Sequence, residues 1–302
     1  MRKPAHRYTA SVVDRKYPLV FLLPAIVLFT VFYVLPAFLG MFYSLTNATL
    51  NRQGFDFVGL ANYQFLFERN GDVFLTAIKN QFGFALAIAL GKTAVGLLLA
   101  LFVDMRFRGS NALRALIYAP IMLSPVIIGI LFNYILKYDG FLNNVLRAIG
   151  LGAITRDWLG DFDIAFNSVV GIDIWIGSGW SMVMILAALQ TIPQDVLESA
   201  RLDGANPLQM FLYVKLPYVS HAINLCALLS IVSGLKAFDL VYTTTGGGPG
   251  RTTELMTTFL AKALSSKTIG YPAAISTIQF LVITLIALFI KKLQNTIEER
   301  DL

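Results

Sequence analysis

The sequence predicts an all-α integral membrane protein of about six transmembrane helices. Two observations carry that prediction. Of 302 residues, 56% are apolar and only 14% charged, against roughly 25% charged in a soluble domain, and mean hydropathy is +0.67. Five stretches contain no Asp, Glu, Lys or Arg: 17–51, 115–136, 174–194, 216–235 and 268–290. A helix needs about 20 apolar residues to cross a bilayer, and each stretch supplies them. This composition excludes an ordinary soluble enzyme, a disordered chain and a nucleic-acid binder. The single cysteine, Cys226, precludes an intrachain disulfide. With two histidines, it leaves little material for a metal site.

Helices are expected at 19–45, 77–103, 113–137, 166–190, 217–240 and 271–291. The second carries one charge, Lys92. The first apolar stretch is longer than a signal-peptide core and no small-residue cleavage site follows it, so it reads as a retained helix. An even number of spans puts both ends on one side. That side would hold Arg2, Lys3, Arg7, Arg15 and Lys16, then Arg106, Arg108 and Arg114, then Arg201 and Lys215, then Lys291, Lys292 and Arg300. The opposite side has fewer Lys and Arg on longer loops, so both termini are expected in the cytoplasm. The chain divides into a tail (1–18), one membrane domain (19–291) and a second tail (292–302). No internal repeat is evident, which argues against a secondary transporter built from two similar halves. Segments 46–76 and 138–165 read as short packed caps outside the membrane.

The cytoplasmic loop between spans four and five has legible local physics. Pro193 suits a helix start, and Asp195 and Glu198 sit where negative charge favours a helix N-terminus. Val196, Leu197, Ala200 and Leu202 supply an apolar side. Gly204 breaks this helix. A second short helix, from about Pro207 to Val214, carries Leu208, Phe211 and Leu212. Pro217 is expected to end it and open the fifth span. The small residues Ser199, Ala200, Gly204 and Ala205 at the elbow permit close approach by another backbone.

The elbow sequence, with Glu198, Ala200, Asp203, Gly204 and Ala205 followed by Phe211 and Leu216-Pro217, resembles the EAA motif of permease subunits of ATP-binding-cassette importers. It departs at Ser199, where the motif has Ala, and at Val214, where it has Ile. The resemblance implies that loop 191–217 is a coupling element, its 194–217 part docking in a cleft of an ATPase subunit. Glu198, Ala200, Asp203, Gly204, Ala205, Phe211 and Pro217 are then the coupling residues. Other segments are similar to the carbohydrate-uptake branch: Phe57-Val-Gly-Leu-Ala-Asn-Tyr63, Ala119-Pro120 through Ser124-Pro125, and Thr244-Thr-Gly-Gly-Gly-Pro249 with Thr253. Together they cover about 22–291 and are most similar to the MalF-like partner of a heterodimeric permease. The resemblance implies a type I importer permease bundle in the bacterial cytoplasmic membrane. It further implies a second homologous permease subunit, two ATPase subunits, an extracytoplasmic solute-binding protein and a sugar or oligosaccharide cargo. ATP and magnesium would sit on the ATPase subunits, leaving this chain without catalytic residues, metal or cofactor.

Two tempting motifs fail. Gly91-Lys92-Thr93 resembles the end of a phosphate-binding P-loop, but that loop needs Gly five positions earlier, and position 86 is Leu. Asp203-Gly204 resembles the start of a lipid head-group transferase motif, but Pro207 stands where Ala is required.

Charged groups within a span face a partner or a cavity. Lys92 would pair with a carboxylate on another helix, snorkel to a surface, or meet the substrate. Asp173 and Gly177, four apart, share a helix face. Asp173 suits sugar hydroxyls and Gly177 admits a sugar ring, whereas Trp175 points elsewhere. By resemblance to the maltose-type permease, Asp173, Gly177, Ser230 and Gly234 fall at sugar-lining positions. Gly177, Ser230 and Gly234 read equally as small residues for helix packing. Lys236 and Asp239, three apart, are expected to pair. The Gly246–Gly250 loop reads as a flexible segment at the outer mouth, where a binding protein would dock. Glycerol phosphate, a polyamine, a choline-like cation, or a stand-alone secondary transporter stay open as alternatives. An anionic cargo would call for basic groups in the pathway, where only Lys92 is available.

Overall fold

The computed structural model describes residues 19–105 and 107–298. Arg2, Lys3, Arg7, Arg15, Lys16, Arg106 and Arg300 of the orientation argument lie outside the described residues. The described chain is almost wholly helical. Extended pairing among these residues is confined to two isolated bridges, Thr46 with Phe57 and Thr49 with Thr268. Six stretches are long and apolar enough to cross a membrane: Leu23–Tyr43, Ala61–Asp104, Pro125–Ala148, Ala165–Leu189, Pro207–Leu235 and Gly270–Phe289. They are numbered spans 1 to 6 below.

Span 1 leaves its whole apolar window exposed, touching mainly span 6 through Leu35–Tyr43. The bundle is built on span 2, which packs along spans 4 and 5. One core cluster lies between spans 2, 3 and 4, around Phe84, Ile88, Ile128, Val169 and Ile176. A second sits at the other end, around Val103, Met182, Ile185, Val219 and Cys226. A third joins the start of span 2 to span 6 and to the helix Met256–Leu264 through Leu66, Phe74, Met256 and Ile275.

Several boundaries differ from the sequence expectation, each for a physical reason. Span 2 begins at Ala61, not near 77, and has 44 residues. At 1.5 Å per residue that is about 66 Å, twice the roughly 30 Å hydrocarbon core. Glu68, Arg69, Asp72 and Lys79 lower hydropathy without opposing helix formation, so the spacing of charges marks only the later part of the helix. The expected third helix, 113–137, is interrupted. Ser110–Tyr118 and the 3-10 turn Ala119–Met122 lead to extended backbone at Leu123 and Ser124, and Pro125 opens a new helix ending at Leu136. The ring of Pro125 disfavours helical backbone at Ser124. The fifth helix stops at Leu235, and a separate short helix, Asp239–Thr244, follows.

Pro217 does not end a helix. Met210–Lys215 is a π-helical turn running directly into Leu216–Leu235. Proline lacks a donor and clashes with the preceding turn; a wider turn just before it absorbs both effects. Span 1 repeats the device: a π turn at Thr30–Val34 precedes Leu35-Pro36.

Candidate functional site

The elbow between spans 4 and 5 is built from two caps set back to back. The helix Gln194–Leu202 ends with Gly204 at φ +82°, a left-handed conformation that costs other L-residues energy. The Gly204 N–H donates to Arg201 O at 3.1 Å and the Ala205 N–H to Ala200 O at 3.0 Å. This pair of bonds is the Schellman arrangement. It sets the spacing of Ala200, Asp203, Gly204 and Ala205, which take the C3, C-cap, C′ and C″ places of one helix stop. The next residue opens the following helix. The Asn206 side chain accepts from the Gln209 N–H, and the Gln209 side chain accepts from the Asn206 N–H, both at 2.9 Å. Pro207 follows at the first helical position. Asn206 and Gln209 were missed by the sequence reading, although N-x-x-Q is a capping-box signature.

Glu198, Asp203 and Gly204 are exposed, and Ala200, Ala205 and Phe211 are half-buried. Leu197 packs on the cluster of Val103, Leu189 and Val219 and so anchors the elbow to spans 2, 4 and 5. Leu202, expected on the same apolar side, is instead 89% exposed, and Leu208 on the following helix is exposed as well. Lys215 Nζ meets Asp104 Oδ2 at 2.8 Å, joining the base of span 5 to the last residue of span 2. No local pattern announces this pair, because its partners are separated by most of the bundle.

Within the bundle, spans 2 and 4 cross at glycines. A Cβ on Gly96 would stand 2.5 Å from Ser181 Cβ and 3.0 Å from the Met182 nitrogen. Lys92 lies at this crossing. Its ammonium is 3.2 Å from Asp173 Oδ2, with side-chain exposures of 8% and 17%. Its stem passes over Gly177, where a Cβ would come within 2.5 Å of Lys92 Cε. Of the three fates the sequence left open for Lys92, pairing with a carboxylate on a neighbouring helix is the one observed.

Beside this pair is a cleft of about 230 Å³ lined by Lys92, Ile121, Gly177, Trp180, Leu229, Ser230 and Ser233. Gly177 and Ser230 are therefore brought together on one wall. Asp173 stands behind Lys92 rather than on the wall. Gly234 is in packing contact: a Cβ there would meet Ala85 Cα at 2.6 Å, and its carbonyl accepts from Gln81 Nε2 at 2.6 Å. Trp175 faces away as expected, against Phe132 at 5.4 Å between ring centroids. Trp180, Ser233 and Ile121 were not singled out in the sequence. Ile121 reaches the wall because the third helix is broken beside it, which no apolar period encodes.

The segment after span 5 is tied down rather than free. Thr245 and Thr253 hydroxyls bond each other at 2.6 Å, and Thr253 Oγ1 also donates to Gly248 O. Asn80 Nδ2 donates to the carbonyls of Arg251, Thr252 and Glu254. Buried Gln81 accepts from the Met256 N–H. Glu254, 1% exposed, accepts from Thr258 at 2.8 Å and pairs with Lys262. The Gly246–Gly250 loop, expected to be flexible, is thus held by Thr245 and Thr253, while side chains from span 2 fix the residues that follow it, 251–256. The expected Lys236–Asp239 pair is not formed among the described residues, because Lys236 to Phe238 leave the helix between them.

Comparison with known proteins agrees with this architecture. The profile described as binding-protein-dependent transport system inner membrane component matches residues 92–296. A probable ABC transporter permease, YurN of Bacillus subtilis, is 32% identical over 286 residues, covering 93% of this chain and 97% of the relative. The multiple sugar-binding transport system permease MsmF of Streptococcus mutans is 31% identical, covering 95% and 98%. The trehalose/maltose transport system permease MalF of Thermococcus litoralis is 29% identical, covering 89% and 90%. A crystal structure of a bacterial ABC transporter involved in import of the acidic polysaccharide alginate has a similar fold. Its TM-score is 0.79 at 24% identity, covering 95% of this chain and 98% of that one. The chain belongs to the family of inner membrane components of binding-protein-dependent transport systems, and is a multi-pass transport permease rather than an enzyme.

Proposed function

We propose that the chain is one of two permease subunits of an ATP-driven importer and forms part of the pathway for a sugar or oligosaccharide. The carrying observation is the elbow: a rigid, doubly capped helix pair presenting Glu198, Asp203, Gly204 and Leu202 at the surface, with Leu197 and Lys215 fastening it to spans 2, 4 and 5. Such an element suits an ATPase subunit on the cytoplasmic side, and that assignment puts both termini in the cytoplasm. Two ATPase subunits would bind ATP and magnesium, one meeting this elbow and one meeting its counterpart on the second permease. Their closure would move residues 194–217 as a unit and tilt spans 4 and 5 against span 2, switching access to the cleft. ATP biases the two states only through its differential affinity for them.

The cargo reading is supported by the cleft and by relatives whose names specify sugar transport. Its wall offers hydroxyls and an indole rather than a charged clamp. At about 230 Å³ it is smaller than the roughly 300–1,000 Å³ of pockets that enclose a ligand, as suits one half of a site completed by a second subunit. The ordered segment 245–256 suits a solute-binding protein at the outer mouth.

The test is purification in mild detergent followed by mass spectrometry of co-purifying chains. An ATPase, a second permease and a solute-binding protein are expected. A chain that emerges alone and transports in liposomes without ATP would overturn the reading in favour of a secondary transporter.

A further inference from the structure

Lys92 is the only charged residue on the cleft wall among the described residues. An unpaired ammonium in a low-dielectric wall would attract anions strongly. Here the ammonium is 3.2 Å from the Asp173 carboxylate, and the bare Cα of Gly177 is what lets the stem lie flat enough to reach it. A cargo atom touching the ammonium would be about twice as far from the carboxylate, which therefore offsets about half of the attraction at contact and more of it farther away. The other polar groups on the wall are the hydroxyls of Ser230 and Ser233 and the indole N–H of Trp180. None of the three bonds another protein group among the described residues. The wall therefore offers unused, uncharged hydrogen-bonding groups beside a partly neutralised cation.

We propose that the Lys92–Asp173 pair sets the charge specificity of the pathway. Asp173 occupies the one cation that would otherwise hold a carboxylate or phosphate, so the cleft selects uncharged, hydroxyl-rich cargo and disfavours uronates and sugar phosphates. Asp173 is a positioning residue, acting through Lys92; Lys92 is the group that faces the cargo. This rests on the reading of the chain as a sugar permease. It narrows the cargo to neutral sugars, and removes glycerol phosphate from the alternatives.

The test is titration calorimetry on the complete importer in nanodiscs, with the binding protein left out so that the membrane site alone is read. The probes are maltose, cellobiose and trehalose, each against the same disaccharide with one ring oxidised to the uronate. The native complex should prefer at least one neutral probe over its uronate by more than about tenfold, the scale of an uncompensated charge in such a site. Asp173→Asn, leaving Lys92 unpaired, should shift that ratio by more than about tenfold toward the uronate. Lys92→Gln, leaving the carboxylate unpaired, should shift it by a similar factor the other way. The combined Lys92→Gln/Asp173→Asn variant should recover the native preference, which a merely structural role of the pair would not produce. If Asp173→Asn does not accumulate in the membrane, Lys92→Gln and the combined variant still decide the matter. A ratio unmoved by either single substitution, or a combined variant as altered as a single one, overturns the proposal while leaving the sugar reading in place. A native complex that hydrolyses ATP with its binding protein yet takes up no neutral or uronate sugar overturns both.

Discussion

The elbow and the cleft are made of opposite kinds of information. The elbow arises within one short run of chain. A Schellman stop, a capping box and an N-terminal proline follow each other between Ala200 and Gln209, and each is a local rule relating residues three to five apart. The cleft takes its wall from four distant segments, represented by Lys92, Ile121, Gly177 and Ser230. Its shape depends on how closely spans 2 and 4 cross. Local rules survive in any context, so the elbow could be damaged without harming the bundle. The crossing has no such independence, because whatever alters it alters the core.

The sharpest way to break that contrast lies in span 2. Gly96 meets Ser181 Cβ and the Met182 backbone at 3.0 Å or less on a built Cβ, whereas Gly71, on the same helix, meets nothing within 4 Å. Gly96→Leu should force the helices apart and cost well beyond the about 1–3 kcal/mol of ordinary overpacking, since the obstructing atoms include backbone. Gly71→Ala should be neutral or stabilising by about 0.5–1 kcal/mol through helix propensity. Thermal unfolding of the purified permease in detergent measures both. A Gly96→Leu protein as abundant and as heat-resistant as the native one would show that the crossing is less tight than described.

A smaller effect on folding but a large one on function is expected at Gly204. Its φ of +82° costs a β-branched residue at least about 1–2 kcal/mol, while Asn tolerates that region. The site is exposed with open space around it. If the elbow couples to an ATPase subunit as proposed, Gly204→Val should leave membrane abundance near native yet reduce ATP-dependent uptake more than tenfold. Gly204→Asn should retain most of the uptake. Equal uptake by the native protein and Gly204→Val would remove the elbow from the mechanism.

What the sequence revealed follows the same division. Six crossings were legible because a bilayer demands long apolar runs; in the elbow the stop at Gly204 was legible because it is local, whereas the equally local Asn206–Gln209 box was overlooked and the outward-facing Leu202 was read as packed. The first third of span 2 was hidden, since Glu68, Arg69 and Asp72 look like loop residues to a hydropathy scale although they sit comfortably on a helix. The break at Leu123–Ser124 was hinted at by Pro120 and Pro125, but a continuous apolar run outweighed the hint. Gly177 and Gly234 illustrate the hardest part. Both are span glycines four residues from another marked position, yet one admits Lys92 to the cleft wall and the other seats Ala85. Periodicity assigns a face; it does not say which neighbour occupies it.

The smallest expected effect concerns the link between the two regions. Lys215 and Asp104 are separated widely in sequence, partly exposed at 24% and 17%, and 2.8 Å apart. A pair this far buried lies between an exposed one, worth about 1 kcal/mol or less, and a fully buried one, where loss of one partner costs about 3–5 kcal/mol, so Lys215→Met should lower stability by about 1–2 kcal/mol. Its value lies in where it is: it is an ionic tie between the base of span 5, which carries the elbow, and the end of span 2, which carries Lys92. If elbow movement reaches the cleft through that tie, Lys215→Met should lower uptake a few-fold while ATP hydrolysis continues, and the exchanged pair Asp104→Lys/Lys215→Asp should recover part of the loss. That partial recovery is the discriminating result, because removing a surface charge alone would not be repaired by exchanging it. Uptake unchanged in Lys215→Met would instead leave the apolar contacts of Leu197 and Leu216 as the route from elbow to bundle. The local and non-local halves of the molecule would then be joined by packing rather than by charge.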